Sequence, residues 1–399
     1  MSALARIPRG VWALGFVSMC MDLSSELIHA LLPLYMAVGL GASTLTIGII
    51  EGVAEAIALV VKVFSGVISD FFQRRKSLVV LGYGLAAFTK LIFPLAPTLG
   101  WIVSARFADR VGKGIRGAPR DALIADLTPP DVRGASFGLR QALDTVGGVG
   151  GPLLAIAAMV YFAGNFQSAF WVAVVPAFLA VLLLIVGVQE PDRPAPAAAG
   201  SASKRLQFAD AKRLGRNYVI VVGIAAMLTL ARFSEAFLVL RAQNVGLPTA
   251  SAPWVMVVMS IVYAAVAYPA GAAADRGHGP RLLSVGLLAL VASDLVLANA
   301  HGGAAVLAGA ALWGLHMGLT QGLFAALVAA AAPPDLRGTA FGVFNLVCGI
   351  ALLIASILAG WLWDAFGPSF TFYTGAAITF IAWIALLRHG RRATELRPA

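Results

Sequence analysis

Long apolar runs alternate with short polar joints along the whole chain. In the first half the runs are Val11–Val38, Leu45–Ile68, Ser77–Ala96, Gly100–Asp121, Ala135–Phe162 and Ala169–Val188. In the second half they are Tyr218–Leu240, Ala252–Ala273, Leu282–Ala298, Ala304–Ala330, Thr339–Leu362 and Phe370–Leu387. Runs of about 20 residues suit helices crossing a hydrocarbon core of about 30 Å, and not the weak alternation of a barrel. The pattern predicts an all-α membrane protein with twelve transmembrane helices in two six-helix bundles.

The polar joints divide the chain. Gln189–Arg216, rich in Pro, Ala, Ser and basic residues, reads as a linker. The predicted organisation is a bundle at 1–188, a cytoplasmic linker at 189–216, and a bundle with a tail at 217–399. Alternate joints carry Arg74, Arg75, Lys76, Arg133, Arg276, Arg281, Arg337, Arg388, Arg391 and Arg392. The opposite joints, around Gly41, Gly164, Gly246, Gly302 and Gly367, hold almost no Lys or Arg. The positive-inside rule then predicts that both termini are cytoplasmic.

Composition agrees with this picture. The 399 residues are 60% hydrophobic and 12% charged, which excludes a soluble domain of this size. A net charge of +10 raises the question of nucleic acid, but its placement in alternate joints accounts for it as topology. No nucleic-acid partner is expected; membrane lipid is. Cys20 and Cys348 fall inside apolar runs, so neither implies a disulfide framework. No cleavable leader is evident, since the first run is too long and lacks a small-residue cleavage site.

The halves repeat. TPPDVRGASFGLRQAL from Thr128 recurs as APPDLRGTAFGVFNLV from Ala332. GVISD, Gly66 to Asp70, returns as GAAAD, Gly271 to Asp275, one residue out of register. Two echoes at nearly one offset indicate duplication.

Charge inside the runs is the candidate chemistry, because an ionisable group at bilayer depth costs about 2.5–3.5 kcal/mol on insertion scales. Asp22, Glu26 and His29 share one helical face of the first run. Glu51, Glu55 and Lys62 share a face of the second; Asp109, Arg110 and Lys113 lie in the fourth, Arg140 and Asp144 in the fifth. Later runs are sparser: Arg232 and Glu235, a lone Asp294, His316 with Gln321, and Asn345. A metal-substrate reading of Met19, Cys20, Met21, Asp22, Glu26 and His29 is the lesser one, because consecutive helical residues point in different directions and cannot all reach one ion. No metal or other cofactor is predicted. Nor is there a phosphate-binding loop or a nucleophile, so no ATP-driven engine and no enzyme is expected.

With these residues in view the chain resembles the major facilitator superfamily over its full length. GVISDFFQRRK matches that family's G-x-x-x-D-[RK]-x-G-[RK]-[RK] loop at Gly66, Asp70, Arg74 and Arg75, and departs from it at Phe71 and Gln73. A looser copy matches at Gly271, Asp275 and Arg276. RVGKGIRGA, from Arg110, is similar to R-x-x-x-G-x-x-G-A, whose arginine the family links to proton coupling. Gly138, Gly147, Gly151 and Pro152 fit the G-x8-G-x3-G-P pattern associated with antiporters.

The resemblance implies two lobes that rock around a central cavity. Gating would fall to Gly66, Asp70, Arg74, Arg75, Asp275, Arg276, Gly147, Gly151 and Pro152. Proton coupling would fall to Asp22, Glu26, Glu55, Asp109 and Arg110. His29, Glu51, Lys113, Arg140, Asp144, Arg232, Glu235, His316, Gln321 and Asn345 would line the cavity. A carboxylate moved out of water holds its proton more tightly, and a neighbouring cation loosens that hold, so a change of hydration can couple protons to a small-molecule substrate. Static salt bridges to Arg110 or Lys113 are the competing reading. The expected function is proton-coupled export of an organic or drug-like solute by a monomer. The alternatives are proton-linked uptake of a siderophore, organic anion or metal chelate, and a non-transporting sensor or lipid handler.

Overall fold

The computed structural model describes residues 6–72, 75–190, 214–333 and 336–395, and all regular structure among them is helical. The first half supplies α1 (Arg9–Leu34), α2 (Thr44–Phe72), α3 (Arg75–Leu95), α4 (Leu99–Leu127), α5 (Arg133–Tyr161) and α6 (Phe166–Gly187). The second supplies α7 (Arg216–Ala231), α8 (Ala236–Asn244), α9 (Trp254–Ala273), α10 (Gly279–Ala298), α11 (Gly303–Ala331), α12 (Arg337–Phe366) and α13 (Pro368–Glu395). Among the described residues, ten segments are long and apolar enough to cross a membrane, with α7 and α8 counted as one. Helices α2 and α4, 29 residues each, are as long but carry charge along much of their length. Together these are the twelve spans that the hydrophobic pattern predicts.

The seventh span departs from that pattern. It is one apolar run in the sequence but breaks between Ala231 and Ala236. Neither Gly nor Pro marks the break. Local side chains stabilise it: Ser234 Oγ accepts from Ala236 N at 3.3 Å, and Ser356 Oγ accepts from Ser234 N at 3.3 Å. Such bonds replace the helical ladder that the backbone gives up there.

Turn geometry repeats with the sequence. Gly41 follows the first span with φ 65°, and Gly246 follows the seventh with φ 94°. Gly164 between α5 and α6 has φ 83°, and Gly367 between α12 and α13 has φ 89°. These left-handed conformations favour glycine, and they fall at matching joints of the two halves.

By packing, the chain groups into two units, Met1–Tyr35 with Ala54–Gln207, and Met36–Val53 with Phe208–Ala399. In the first unit, α1 packs on α5 and α6, and α3 on α4. Its core joins Val11, Leu14, Val17 and Met21 of α1 to Tyr83 of α3 and Leu184 of α6. In the second unit, α10 packs on α11 and α13, and α9 on α11. Phe233 at the break contacts Phe237, Trp313 and Phe372 with ring centroids 5.3–5.5 Å apart. The start of α2 also packs in this unit, where Asp364 accepts from Thr44 N at 3.2 Å and Leu45 N at 2.8 Å.

Candidate functional site

Helix α4 organises the charged interior of the first unit. Arg106, Arg110, Lys113, Arg116 and Arg120 follow one another at steps of three or four, so they form one ladder along its length. Acids of the neighbouring helices meet it. Lys90 of α3 donates to Asp109 Oδ1 at 2.7 Å, both side chains being almost wholly buried. Asp109 Oδ2 lies 3.6 Å from Arg110 Nε. Glu55 of α2 takes Arg110 Nη1 at 3.2 Å and Arg106 Nη2 at 4.0 Å. The chain Lys90–Asp109–Arg110–Glu55 thus ties α3, α4 and α2 together.

A second cluster lies further along α4. Arg116 stacks its guanidinium 4.6 Å over the Tyr83 ring. Arg120 donates to Ser18 Oγ at 2.9 Å, and Ser18 Oγ in turn lies 3.1 Å from the Tyr83 hydroxyl. Asp121 lies 3.2 Å from Arg120 and 3.9 Å from Arg140, while Arg140 Nη1 donates to Asp144 Oδ2 at 2.6 Å.

The acids of α1 stand against α5. Gly147 and Gly151 make that approach possible: a side-chain carbon at Gly147 would come within 2.7 Å of Met19 O and 2.8 Å of Asp22 Cβ, and one at Gly151 within 2.6 Å of Glu26 Cβ. Small residues at such a crossing are a general device of membrane helices. Pro152 is buried beside them, and α5 runs through it unbroken. Glu26 Oε2 pairs with His29 Nδ1 at 3.3 Å. Asp22 has Asp144, Arg116, Glu26 and Arg120 as charged neighbours, an acid of α5 among them. Lys113 and Arg110 bring positive potential to both Glu26 and Glu55.

The expected gating residues are only partly described. Arg75 Nη1 donates to Asp126 Oδ2 at 2.8 Å, joining the start of α3 to the end of α4. A side-chain carbon at Gly66 would make ordinary contact with Ala118, 3.5 Å away. Arg276 is exposed. Arg74 lies outside the described residues, as do the side chains of Asp70 and Asp275 and most of the expected linker.

In the second unit the expected cavity residues are scattered. Glu51, fully buried on α2, belongs to this unit and not to the cluster around Glu55. Arg232 and Glu235 flank the break between α7 and α8. His316 of α11 is buried, its Nδ1 2.8 Å from Gly286 O of α10. Gln321 and Asn345 are half-buried on α11 and α12. Among the described residues no three His, Cys, Asp or Glu side chains gather as a metal cage.

Sequence reasoning missed Lys90, Arg106, Arg116, Arg120 and Asp121. Each is a charged residue within a membrane-length helix, the same signal that singled out Asp22 and Glu55.

The family model for the Major Facilitator Superfamily matches the chain at residues 14–351 and again at 219–399. An uncharacterised MFS-type transporter of Methanocaldococcus jannaschii, MJ1317, is 31% identical over 96% of this chain and 95% of its own length. Among solved structures, a point mutant of the nucleoside transporter NupG superposes with a TM-score of 0.80 at 13% identity, covering 95% of this chain and 99% of its own. A bacterial homologue of the human lysosomal transporter Spinster, solved inward-facing and unoccupied, gives 0.76 at 16% identity, covering 98% of each chain. At those identities the structural likeness speaks for the fold.

Proposed function

The chain belongs to the Major Facilitator Superfamily, and on that premise we propose that it is a proton-coupled antiporter exporting a small organic or drug-like solute. Membership makes it a multi-pass secondary transporter and not an enzyme. The proposal adds the coupling ion, the direction, and a monomer in a bacterial inner (plasma) membrane with cytoplasmic termini.

One observation carries the coupling: Asp22 and Glu26 sit where α1 meets the Gly147–Gly151 face of α5, within the field of the α4 ladder. An acid held between a like charge and several cations changes its proton affinity steeply when either neighbour moves. Asp22, with Asp144 as a like-charged neighbour, is the proton carrier in this scheme, and Glu26 with His29 is its exchange partner. Glu55 and Asp109 are engaged by Arg110 and Lys90, and keep α2, α3 and α4 in register. Substrate binding to one state then drives proton release, and the reverse holds by linkage. The glycine pattern on α5 favours export through its resemblance to that of the family's antiporters, and two of its members, Gly147 and Gly151, admit α1.

The α4 ladder favours one alternative, proton-linked uptake of an organic anion such as a carboxylate or a metal chelate. Cations outnumber acids in this network, which suits a ligand of negative charge.

The test is flux in proteoliposomes under an imposed pH gradient, with fluorescent organic cations and small carboxylates as probes. Export-type exchange of the cationic probes, abolished in Asp22→Asn and Glu26→Gln, is the expected result. Carboxylate uptake with protons would favour the alternative. Gradient-driven flux that survives in both variants would defeat the assignment of the carrier.

A further inference from the structure

Asp294 lies in the last turns of α10, a helix that packs against α11 and α13, and is completely buried. Neither of its carboxyl oxygens has a hydrogen-bond partner among the described residues. The space it occupies exists only because α13 has glycine there: a side-chain carbon at Gly375 would stand 2.8 Å from Asp294 Oδ2. The same point is 3.3 Å from Ala231 O, the last carbonyl of α7 before the break. The carboxyl and the negative end of an interrupted membrane helix therefore border the same point beside Gly375, an arrangement suited to a small cation.

Three polar groups on the surrounding elements, His316, Arg241 and Tyr373, are engaged elsewhere. His316 of α11 bonds Gly286 O, two turns back along α10. Arg241 of α8 donates to Leu297 O, Ala298 O and Ala300 O, beyond the other side of Asp294. Tyr373 of α13 donates to Asn299 Oδ1. Arg232 and Glu235 stand at the break itself, and Arg232 acts electrostatically on His316 and Cys348. An ionised carboxylate in such a place, with no counter-charge and no donor among the described residues, is far costlier than a neutral acid.

We propose that Asp294, with the carbonyl end of α7, is an ion-coupling site of the second unit, holding a proton in this structure and releasing it when the break at 232–235 rearranges and admits water. It goes beyond the Asp22–Glu26 assignment and stands or falls separately, because the experiment reads Asp294 directly and needs no transported solute.

The experiment is infrared difference spectroscopy of the full-length protein in lipid nanodiscs, titrated from neutral to alkaline pH. The wild type is expected to give a protonated-carboxyl C=O band at neutral pH that Asp294→Asn lacks and Asp22→Asn retains. Gly375→Ala, whose added methyl meets Oδ2, is expected to shift that band, and serves should Asp294→Asn fold poorly. Identical carboxyl bands in wild type and Asp294→Asn would overturn the proposal, as would a band unmoved in Gly375→Ala. Thermal stability in sodium against choline chloride supplies the third arm. Sodium-specific stabilisation that Asp294→Asn abolishes would overturn the proton in favour of sodium.

Discussion

Lys90 Nζ sits 2.7 Å from Asp109 Oδ1, with 1% and 3% of the two side chains exposed. A pair so deep gains little over apolar packing, but one partner removed leaves the other charge stranded. Asp109→Leu alone should destabilise the protein by about 3–5 kcal/mol, and Lys90→Met by a similar amount. The double variant should recover most of the loss and keep its gradient-driven flux. Thermal unfolding of the purified variants checks the first statement and proteoliposome flux the second. A stable double variant without flux would make the pair part of the coupling machinery.

Two adjacent glycines of α5 should behave oppositely. Gly147→Ala places a methyl within 2.7 Å of Met19 O, so α1 must shift, at about 1–3 kcal/mol. Gly148 has nothing within 4 Å of the same position, and Gly148→Ala should be neutral or stabilising by up to about 1 kcal/mol. Paired melting curves test this, and equal effects would mean that the α1–α5 crossing is looser than described.

Asp364 accepts from the amides of Thr44 and Leu45 at the start of α2. Asp364→Ala removes a side chain that satisfies two orphan donors and meets the positive end of the helix dipole. Because the site is exposed, about 0.5–1 kcal/mol is the expected cost, with Asp364→Asn milder. Hydrogen exchange at residues 44–48 should rise in the alanine variant.

Arg241 closes the end of α10 by donating to three carbonyls from a side chain only 5% exposed. Bonds of a charged donor contribute about 1.5–3 kcal/mol in such a setting. Arg241→Met should therefore cost more than Arg276→Met, whose side chain is exposed. Lysine at 241 should rescue little, having no planar fork to span several acceptors. Melting temperatures of the three variants decide it.

The spans, their number and the duplication were legible in the sequence because lipid imposes length and apolarity on every crossing helix. Gly41 and Gly246, or Gly164 and Gly367, stand at matching joints because the duplicated turns keep a left-handed conformation that favours glycine. The partnerships were not legible. The offsets that align Asp22, Glu26 and His29 say which residues share a face, but not that Gly147 and Gly151 lie opposite. Glu51 and Glu55 share a face of α2, yet they belong to different units. Lys90 bears the same mark as Asp22, a charge within an apolar run. Its role emerges only with Asp109, nineteen residues away on another helix. The break at Arg232–Glu235 escaped because hydroxyls of Ser234 and Ser356 hold it, and no Gly or Pro announces it.

The ladder on α4 also bears on how the protein is made. A helix carrying Arg106, Arg110, Lys113, Arg116 and Arg120 would face about 2.5–3.5 kcal/mol for each central charge on entering lipid by itself. Its counter-charges are on helices made both earlier and later, Glu55 on α2 and Asp144 on α5. The nascent α4 must wait beside the translocation channel until those neighbours shield it, so truncation before α5 should yield a chain that quality-control proteases remove.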